Sequence, residues 1–312
     1  MKVLKKKTTD NAVVGVITAI LLIGLIVAVI SLVQTTYIPK IMEQREADHM
    51  DKVAEQFTYL TSIIDGQVVN AMVAEQFSII DDQVVNAIKN KPLSTAITLG
   101  SKELPYMLSV RAFGTLEILD NDARAIDIYN DSDDSPFHFP IGAITYSSNN
   151  AYFLDQSYTY EAGAMIVNQF DPDGNSMMIP PFFSADYDTT TDTVTISFDV
   201  SNISSVGNKN IASGYGTYPI QTEFHHISKN LSYTNVSNIT ISTPFSDAWL
   251  TFINHSLKNA NLNYAGYGSQ FLLNNTEQAL KLDFASSSNP PAVNIKVKII
   301  EIRAQIGPGW VE

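Results

Sequence analysis

An unbroken apolar segment near the start of the chain limits its fold more than any other feature. Residues 12–33 contain no charged side chain and no proline. As a helix, this segment would be roughly 33 Å long, enough to cross a bilayer core of about 30 Å. A helix buried in a soluble core normally keeps a polar face, and this segment has none. We therefore predict a transmembrane helix over residues 12–33, with anchor positions at Ala12, Gly15, Leu21, Gly24, Leu25 and Val33.

The flanks of this segment set its predicted orientation. Lys2, Lys5, Lys6 and Lys7 precede it, whereas the residues after it are mixed in charge with an acidic excess. Because lysine and arginine favour the cytoplasmic side, we expect residues 1–11 to form a short basic cytoplasmic leader. The rest of the chain is then extracellular. The alternative is a cleaved secretory signal peptide, but that has a shorter apolar region and a small-x-small site, which TTYIPKIME lacks.

The composition excludes several classes of protein. The formal net charge is −13 and the isoelectric point is about 4.7, so the chain lacks the basic surface that a nucleic-acid partner requires. The absence of cysteine excludes thiol catalysis, disulfide bonds and cysteine-ligated zinc. The P-loop, the G-x-S-x-G elbow and the G-x-G-x-x-G motif do not occur. We therefore expect no enzyme activity and no cofactor. Membrane lipid, around the apolar segment, is the first predicted partner.

A helical stalk is predicted after the membrane span, over residues 34–91. Pro39 is expected to break or kink the helix about two turns outside the bilayer. Beyond it, VAEQF-TYLTS-IIDGQVVNA of residues 53–71 recurs as VAEQF-S-IIDDQVVNA in residues 73–87, which we interpret as a tandem duplication. Each copy has an apolar stripe that we expect to pack: Val53, Phe57, Leu60 and Ile64 in the first, and Val73, Phe77, Ile80 and Val84 in the second.

The offset between the copies bears on the shape of the stalk. Val73 follows Val53 by 20 residues. At about 100° per residue, this offset places the two stripes on opposite sides of a straight helix. We expect the helix to break near residues 66–70. The alternative is that the two stripes pack against different partners.

Residues 92–312 have the pattern of a β-rich domain. Strands are predicted over residues 112–120, 192–201 and 292–303, where apolar and polar residues alternate. Residues 246–260 have helical spacing instead. The predicted fold class is α+β, with an N-terminal transmembrane helix that continues into the helical stalk, followed by an antiparallel β-sandwich as the extracellular domain.

Oxygen-rich segments in the β-rich region suggest two kinds of site. Asp171, Asp173 and Asn175 have the alternate spacing of a calcium loop, but a Pro-Asp-Gly turn explains the same residues and we expect no metal. The pair His225-His226 has no further ligand motif and is expected to occupy a surface or strand position rather than a metal site. The N-x-S/T sequons follow the membrane span and predict N-glycosylation at one or more of Asn130, Asn202, Asn230, Asn235, Asn238, Asn254 and Asn274.

The N-terminal sequence KKKTTDNAVVGVITAILLIG resembles that of archaeal type IV pilin-like surface proteins. In that family a signal peptidase cuts between the basic leader and the apolar helix. The retained helix then anchors the subunit or packs in a filament core. ITLGSKELPY (97–106), SSNNAYFLDQSYTYEAGAMIV (147–167) and IGPGWVE (306–312) are similar to segments of the same uncharacterised group.

This resemblance implies a structural or adhesive function at the cell surface. The apolar helix would mediate self-association or contact with other pilin-like subunits, in the membrane or in a filament. The resemblance fits a filament subunit as well as a non-polymerising surface protein built to the same plan. The alternative is a membrane-anchored extracellular sensing or ligand-binding module that acts through a membrane partner.

Overall fold

The protein has one long N-terminal helical segment followed by a largely β domain. The computed structural model describes residues 9–77, 91–100, 112–120, 123–130, 136–169, 174–264 and 268–309. The α-helix α1 (Thr9–Leu32) runs through a π-helical turn (Val33–Tyr37) into α2 (Ile38–Phe77). A third helix, α3 (Ser246–Asn259), lies within the β domain, as its spacing predicts. The coarse prediction of an apolar N-terminal helix and a β-rich remainder is therefore confirmed.

Of the break or kink predicted at Pro39, the break is wrong, because the helix continues through this residue. A proline in an α-helix lacks the N–H donor, and its ring clashes with the carbonyl four residues earlier. Here the backbone widens just before the proline, so that the Ile38 N–H donates to the carbonyl of Val33, five residues back. Such π turns are a known way to relieve strain in a helical hydrogen-bond ladder.

The predicted break near residues 66–70 is also wrong, since α2 runs without interruption to Phe77. Ile64 and Val68, on either side of Gly66, are both buried against the β domain. This packing keeps the helix regular through the glycine, which would otherwise weaken it by about 1 kcal/mol. On an unbroken helix the two stripes must face different sides, and Val73 is indeed 44% exposed.

The β domain contains three sheets. Sheet A has the order β1 (Leu93–Thr98), β12 (Thr217–Tyr233), β16 (Ala292–Ile306), β10 (Thr193–Ser205) and β9 (Phe182–Asp188). Sheet B has the order β11 (Ile211–Gly214), β2 (Phe113–Leu119), β5 (Ala143–Asn149), β6 (Gln156–Glu161), β7 (Ala164–Gln169) and β8 (Asn175–Ile179). Sheet C has the order β14 (Leu272–Thr276), β15 (Ala279–Asp283), β13 (Val236–Ser242), β3 (Ala125–Asn130) and β4 (Phe137–Pro140).

One strand pair departs from the predicted antiparallel arrangement. Strands β10 and β16 run parallel over their whole paired length, from Thr193 beside Ala292 to Ser205 beside Ala304. All other strand pairs in the described residues are antiparallel. Parallel neighbours need a long crossover connection, and here the chain forms β11 to β15 between the two strands.

The long strands of sheet A take part in two hydrophobic cores. The first, which we call the α3 core, combines α3 with sheet C and with the part of sheet A that contains Val194–Val200 and Val293–Ile299. The second, the α2 core, combines α2 with sheet B and with the other ends of the same strands. The buried side chains of the α2 core include Val53, Phe57, Leu60, Ile64, Leu116, Tyr146, Tyr160, Ile203, Ile220 and Ile302, and those of the α3 core include Ile126, Phe198, Ile239, Trp249, Ile253, Leu280 and Ile295.

Sheets A and B approach each other closely at Gly142, which precedes β5. A Cβ atom at this position would lie 1.8 Å from the carbonyl oxygen of Ile203 in β10. Only glycine fits such a backbone approach. The two sheets are thus held together on one side of the α2 core.

The packing of α2 differs from the picture of a stalk that stands apart from the β domain. Met42, Met50 and the first-copy stripe are buried, and the buried face continues through Val68, Ala71 and Ala74. A helix with one apolar stripe buries it against whatever surface offers a matching groove. The segment from Met42 to Ala74 therefore belongs to the body of the β domain.

Candidate functional site

The apolar helix α1 makes no buried contact with the rest of the protein. Its described side chains, from Val13 to Leu32, are all exposed, Leu21 by 69%. The helix is long and apolar enough to cross a membrane by length and composition. Of the predicted anchor positions, Leu21, Leu25 and Val33 are exposed, Gly15 and Gly24 have no neighbouring atom within 4 Å of a Cβ, and the side chain of Ala12 lies outside the described residues.

Two residues just beyond the apolar helix match the chemistry of a membrane boundary. Tyr37 is largely exposed at the end of the π turn, and Lys40 is exposed in the first turn of α2. Tyrosine side chains prefer the headgroup region, and lysine extends its ammonium group toward water. Their position directly after an uncharged segment was a signal in the sequence, although the motif analysis did not single them out.

The β domain holds α2 in a groove formed by Thr98 of β1, Tyr158 and Tyr160 of β6, and Thr222 of β12; we call this surface the helix groove. Gln56 both donates to the Thr98 hydroxyl, at 3.2 Å, and accepts from the Thr98 backbone N–H, at 2.9 Å. The ring of Phe57 lies 6.1 Å from that of Tyr158. These contacts fix the rotation of α2 about its axis and its position along that axis relative to the sheets.

Further along α2, Gln67 donates from its amide nitrogen to the backbone carbonyl of Thr222 at 2.7 Å. Thr222 pairs with Leu93, the first residue of β1. The strand β1 therefore runs back along the helix, from the level of Gln67 to the level of Gln56. Sequence reasoning predicted the apolar stripe of this helix but not its polar contacts.

A buried glutamate fixes the N-terminal part of α2. Glu46 is only 1% exposed, and its carboxylate accepts hydrogen bonds from three consecutive backbone N–H groups. The donors are Ala151 at 3.1 Å, Tyr152 at 2.7 Å and Phe153 at 2.7 Å. Hydrogen bonds to a carboxylate are stronger than neutral ones, and a buried charge needs such partners. Glu46 thus holds the loop between β5 and β6 against the helix.

His49 lies one turn further along and is buried beside β1. Its Nε2 is 3.1 Å from the carbonyl oxygen of Thr98, so this nitrogen carries the proton and donates. Burial lowers the pKa of His49, opposed by the hydrogen bond to Thr98 and assisted by the charge of Lys52. The imidazole is therefore neutral at neutral pH, and its role is to position the helix.

Asp65, in the middle of α2, is a partly buried carboxyl group with a shifted pKa. Burial raises its pKa from 3.8 to about 6, and the hydrogen bond from the Tyr160 hydroxyl, at 3.2 Å, partly opposes this rise. Burial likewise raises the pKa of the fully buried Tyr160 well above 10. With a pKa of about 6, Asp65 is protonated at mildly acidic pH.

The structure places the two predicted packing stripes differently. Val53, Phe57, Leu60 and Ile64 are fully buried in the α2 core. Val73 of the second copy is exposed, since the unbroken helix turns it away from the groove. The side chain of Phe77 and the residues Ile80 and Val84 lie outside the described part of the chain.

A second buried polar cluster ties the α3 core together. Glu161, only 2% exposed, forms an ion pair with Arg124 at 2.8 Å and accepts from Thr243 at 2.6 Å and from the indole N–H of Trp249 at 2.8 Å. Arg124 contacts one oxygen of the carboxylate, and Thr243 and Trp249 both donate to the other. The cluster therefore joins β6, α3 and the ends of β3 and β13. The sequence around Glu161, SYTYEAG, contains no pattern that predicts this cluster.

The sequons differ in accessibility. Asn202 is engaged on both sides of its amide, since its oxygen accepts from the Gly142 N–H and its nitrogen donates to Glu301. The amide oxygens of Asn238 and Asn254 are buried. Asn130 is half-buried. The remaining three are exposed: Asn230, Asn235 and Asn274.

The weak calcium candidate is not assembled within the described residues. The Oδ1 atom of Asn175 accepts from the backbone N–H of Ala248 at the start of α3, at 2.8 Å, while Asp171 and Asp173 lie outside the described residues. His225 is exposed, in contact with Arg303 at 3.0 Å, and stacks edge-on against His226. In the part of the chain that the structure describes, no group of three metal-ligating side chains occurs.

In comparisons with protein-family models, with curated proteins and with solved structures, nothing matches this chain.

Proposed function

We propose that this protein is a membrane-anchored cell-surface protein of the archaeal type IV pilin-like class, with a structural or adhesive function. Helix α1 would hold the subunit in the membrane or pack against α1 of other subunits in a filament. The leader lies in the cytoplasm, and the β domain, packed as a sandwich, is presented outside the cell. Exposed sequons on the β domain suit a glycosylated surface.

The observation that carries this proposal is the continuity of the helix from Thr9 to Phe77. Its first part is bare and apolar, and its second part is built into the α2 core. A subunit that is assembled through an apolar helix needs both properties in one element, because the helix must carry load from the assembly to the surface domain. A bare helix in water would aggregate, so lipid or neighbouring helices must cover it.

Electron microscopy of cells and of sheared supernatant, with antibody against the β domain, tests the assembly. Labelled filaments that contain the protein support a filament subunit. Exclusive recovery in the membrane fraction contradicts polymerisation and leaves the anchored form. Recovery in the soluble fraction without filaments overturns the whole proposal.

A charge in the middle of the apolar helix tests the anchor itself. Leu21→Arg should disfavour membrane insertion by about 3 kcal/mol, and more of the protein should be extracted by alkaline carbonate. Leu21→Ala at the same site is the matched control and should stay in the membrane fraction. Mass spectrometry of the mature N-terminus then decides processing: loss of the basic leader supports the pilin-like route, and an intact Met1 contradicts it.

A further inference from the structure

The helix groove holds the first copy of a sequence that the chain contains twice. The first copy contributes the buried apolar stripe and the contact of Gln56 with Thr98. The second copy begins at Val73, and Val73 itself is exposed while the first copy is docked. The same chain therefore contains a second segment, with nearly the same side chains, that could occupy the groove in place of the first copy.

The second copy fits the groove in one particular register. A shift by 20 residues places Gln76 where Gln56 lies, so that the contact with Thr98 can be repeated. The same shift fills every buried apolar position between 53 and 68 with another apolar residue. Val53, Phe57, Leu60, Ile64 and Val68 are replaced by Val73, Phe77, Ile80, Val84 and Ile88.

The other register that the repeat suggests fits less well. A shift by 16 residues aligns the IIDxQVVNA halves, but it places Gln76 at the fully buried position of Leu60 and Phe77 at that of Thr61. A buried amide without a partner and an overpacked aromatic ring each destabilise a core. The shift by 20 residues is therefore the competitive alternative.

We propose that the helix groove accepts either copy, so that residues 73–88 dock in place of residues 53–68 in a second, longer state of the protein. In this state the first copy lies between the apolar helix and the β domain. Because a helix rises 1.5 Å per residue, the β domain moves about 30 Å further from the start of the helix. The exchange of the two copies in the groove does not depend on the proposed function. The statement that the β domain moves away from a membrane does rest on that function.

The path of the chain permits this second state. In the observed register Gln67 contacts Thr222, which pairs with Leu93 at the start of β1. After the shift, residue 87 occupies the place of Gln67. The six residue steps from there to Leu93 can span up to about 20 Å. A short connection into β1 is thus sufficient, whereas in the observed register residues 75–92 separate the buried Ala74 from Leu93.

Contacts outside the exchanged stripe determine which state predominates. In the second register Gly66 takes the place of Glu46, so the three hydrogen bonds to the loop at residues 151–153 are lost. Asp81 takes the place of the buried Thr61, which is unfavourable for a carboxylate. One apolar stripe replaces the other, but the buried Met42 and Met50 give way to Ser62 and Asn70. The observed register is therefore favoured, by Glu46 and by these two methionines.

Cross-linking of introduced cysteines tests the exchange in the full-length protein in detergent or nanodiscs. The chain has no cysteine, so each pair is the only pair of thiols. Gln56→Cys with Thr98→Cys reports the observed register, and Gln76→Cys with Thr98→Cys reports the second one. In the observed register residue 76 lies about 30 Å along the helix from residue 56, beyond the reach of a short bismaleimide.

We expect both pairs to give an intramolecular product, the second one slowly. Glu46→Ala should increase the yield of the second pair on the order of tenfold, because it removes contacts made only in the observed register. Asp81→Thr should act in the same direction. Ile80→Asp should abolish the second product and leave the first unchanged, since Ile80 is docked only in the second register.

The first pair shows that each variant is folded and docked. If the first pair forms a product while the second forms none in the wild-type, Glu46→Ala and Asp81→Thr backgrounds, the proposal is overturned. A second-pair product found only as a covalent dimer also contradicts it, because the second copy would then dock in another molecule. Distances between spin labels at Glu43 and Asn208 provide an independent measurement, with a second population expected tens of ångströms longer in Glu46→Ala.

Discussion

The hydroxyl of Tyr160 donates a hydrogen bond to Oδ1 of Asp65, and this 3.2 Å contact joins the middle of the long helix to sheet B. It lies in the α2 core, where burial rather than charge pairing dominates the acidity of the carboxyl group. The burial of Asp65 therefore makes the docking of the helix sensitive to pH.

Asp65 should make the protein less stable as the pH rises from about 4 to about 6. Its folded-state pKa, about 6, is above its ordinary value of 3.8, so the folded state binds more protons than the unfolded state in this range. Stability is then lost as the pH rises through the folded pKa, by about 1–3 kcal/mol. Asp65→Asn keeps an acceptor for Tyr160 and should remove this loss. Urea unfolding at several pH values measures the difference.

Glu55→Gln, which changes an exposed carboxylate on the same helix, is the control and should keep the wild-type pH dependence. A difference between wild type and Asp65→Asn that grows toward acidic pH would contradict the assignment.

Glu46→Ala should destabilise the docked helix by about 2–4 kcal/mol, because three backbone N–H groups lose their acceptor in a partly buried contact. The loop at residues 151–153 should also exchange its amide hydrogens faster. Hydrogen exchange followed by mass spectrometry measures both effects. Glu43→Ala, an exposed change one turn earlier, should leave exchange in this loop unaltered.

Glu161→Leu should destabilise the β domain by about 3–5 kcal/mol, since the buried charge of Arg124 then loses the carboxylate that pairs with it. The double variant Arg124→Met with Glu161→Leu should recover much of this loss, because no buried charge remains. Chemical unfolding followed by the fluorescence of Trp249 compares the variants. If the double variant is less stable than Glu161→Leu, the ion pair is not the source of the effect.

N-glycans, where the native host adds them, should be found on Asn230, Asn235 or Asn274 and not on Asn202. The first three side chains are exposed, and Asn235 lies in the turn between β12 and β13. Asn202→Gln should leave the glycan mass unchanged but lower stability by about 1–2 kcal/mol, since it disturbs the hydrogen bonds to Gly142 and Glu301. Intact-protein mass spectrometry of single variants measures this. A glycan on Asn202 would show that the amide is accessible.

The elements with a clear period could be predicted from the sequence. The strands expected over residues 112–120, 192–201 and 292–303 correspond to β2, β10 and β16, and the expected helix over residues 246–260 corresponds to α3. Val293, Ile295, Val297 and Ile299 are buried, as their alternation predicts. Alternation and helical spacing report directly which side of an element faces the core.

The course of the helix could not be predicted, because local propensity and packing oppose each other there. Pro39 alone indicates a break, and a π turn upstream relieves its strain without one. Gly66 alone indicates a weak point, and the burial of Ile64 and Val68 compensates for it. Such compensation arises from hydrogen-bond rearrangement and from tertiary contacts, which no local pattern contains.

The polar half of the helix groove was also invisible in the sequence. Glu46 and Gln56 look like ordinary solvent-facing residues of a helix, and their partners lie about 40 to 100 residues further along the chain. The parallel pairing of β10 with β16 has the same cause, since the alternation of a strand does not reveal its neighbour.

The position of β16 has a consequence for how the protein is made. This strand lies in the middle of sheet A, between β12 and β10, and it contributes to both cores. Its pairing with β10 joins residues roughly 100 positions apart, which is a slow contact to form. During synthesis neither core can close until residues 292–306 are available. We therefore expect nascent chains that stop before β16 to stay bound by chaperones, and release to coincide with the addition of this strand.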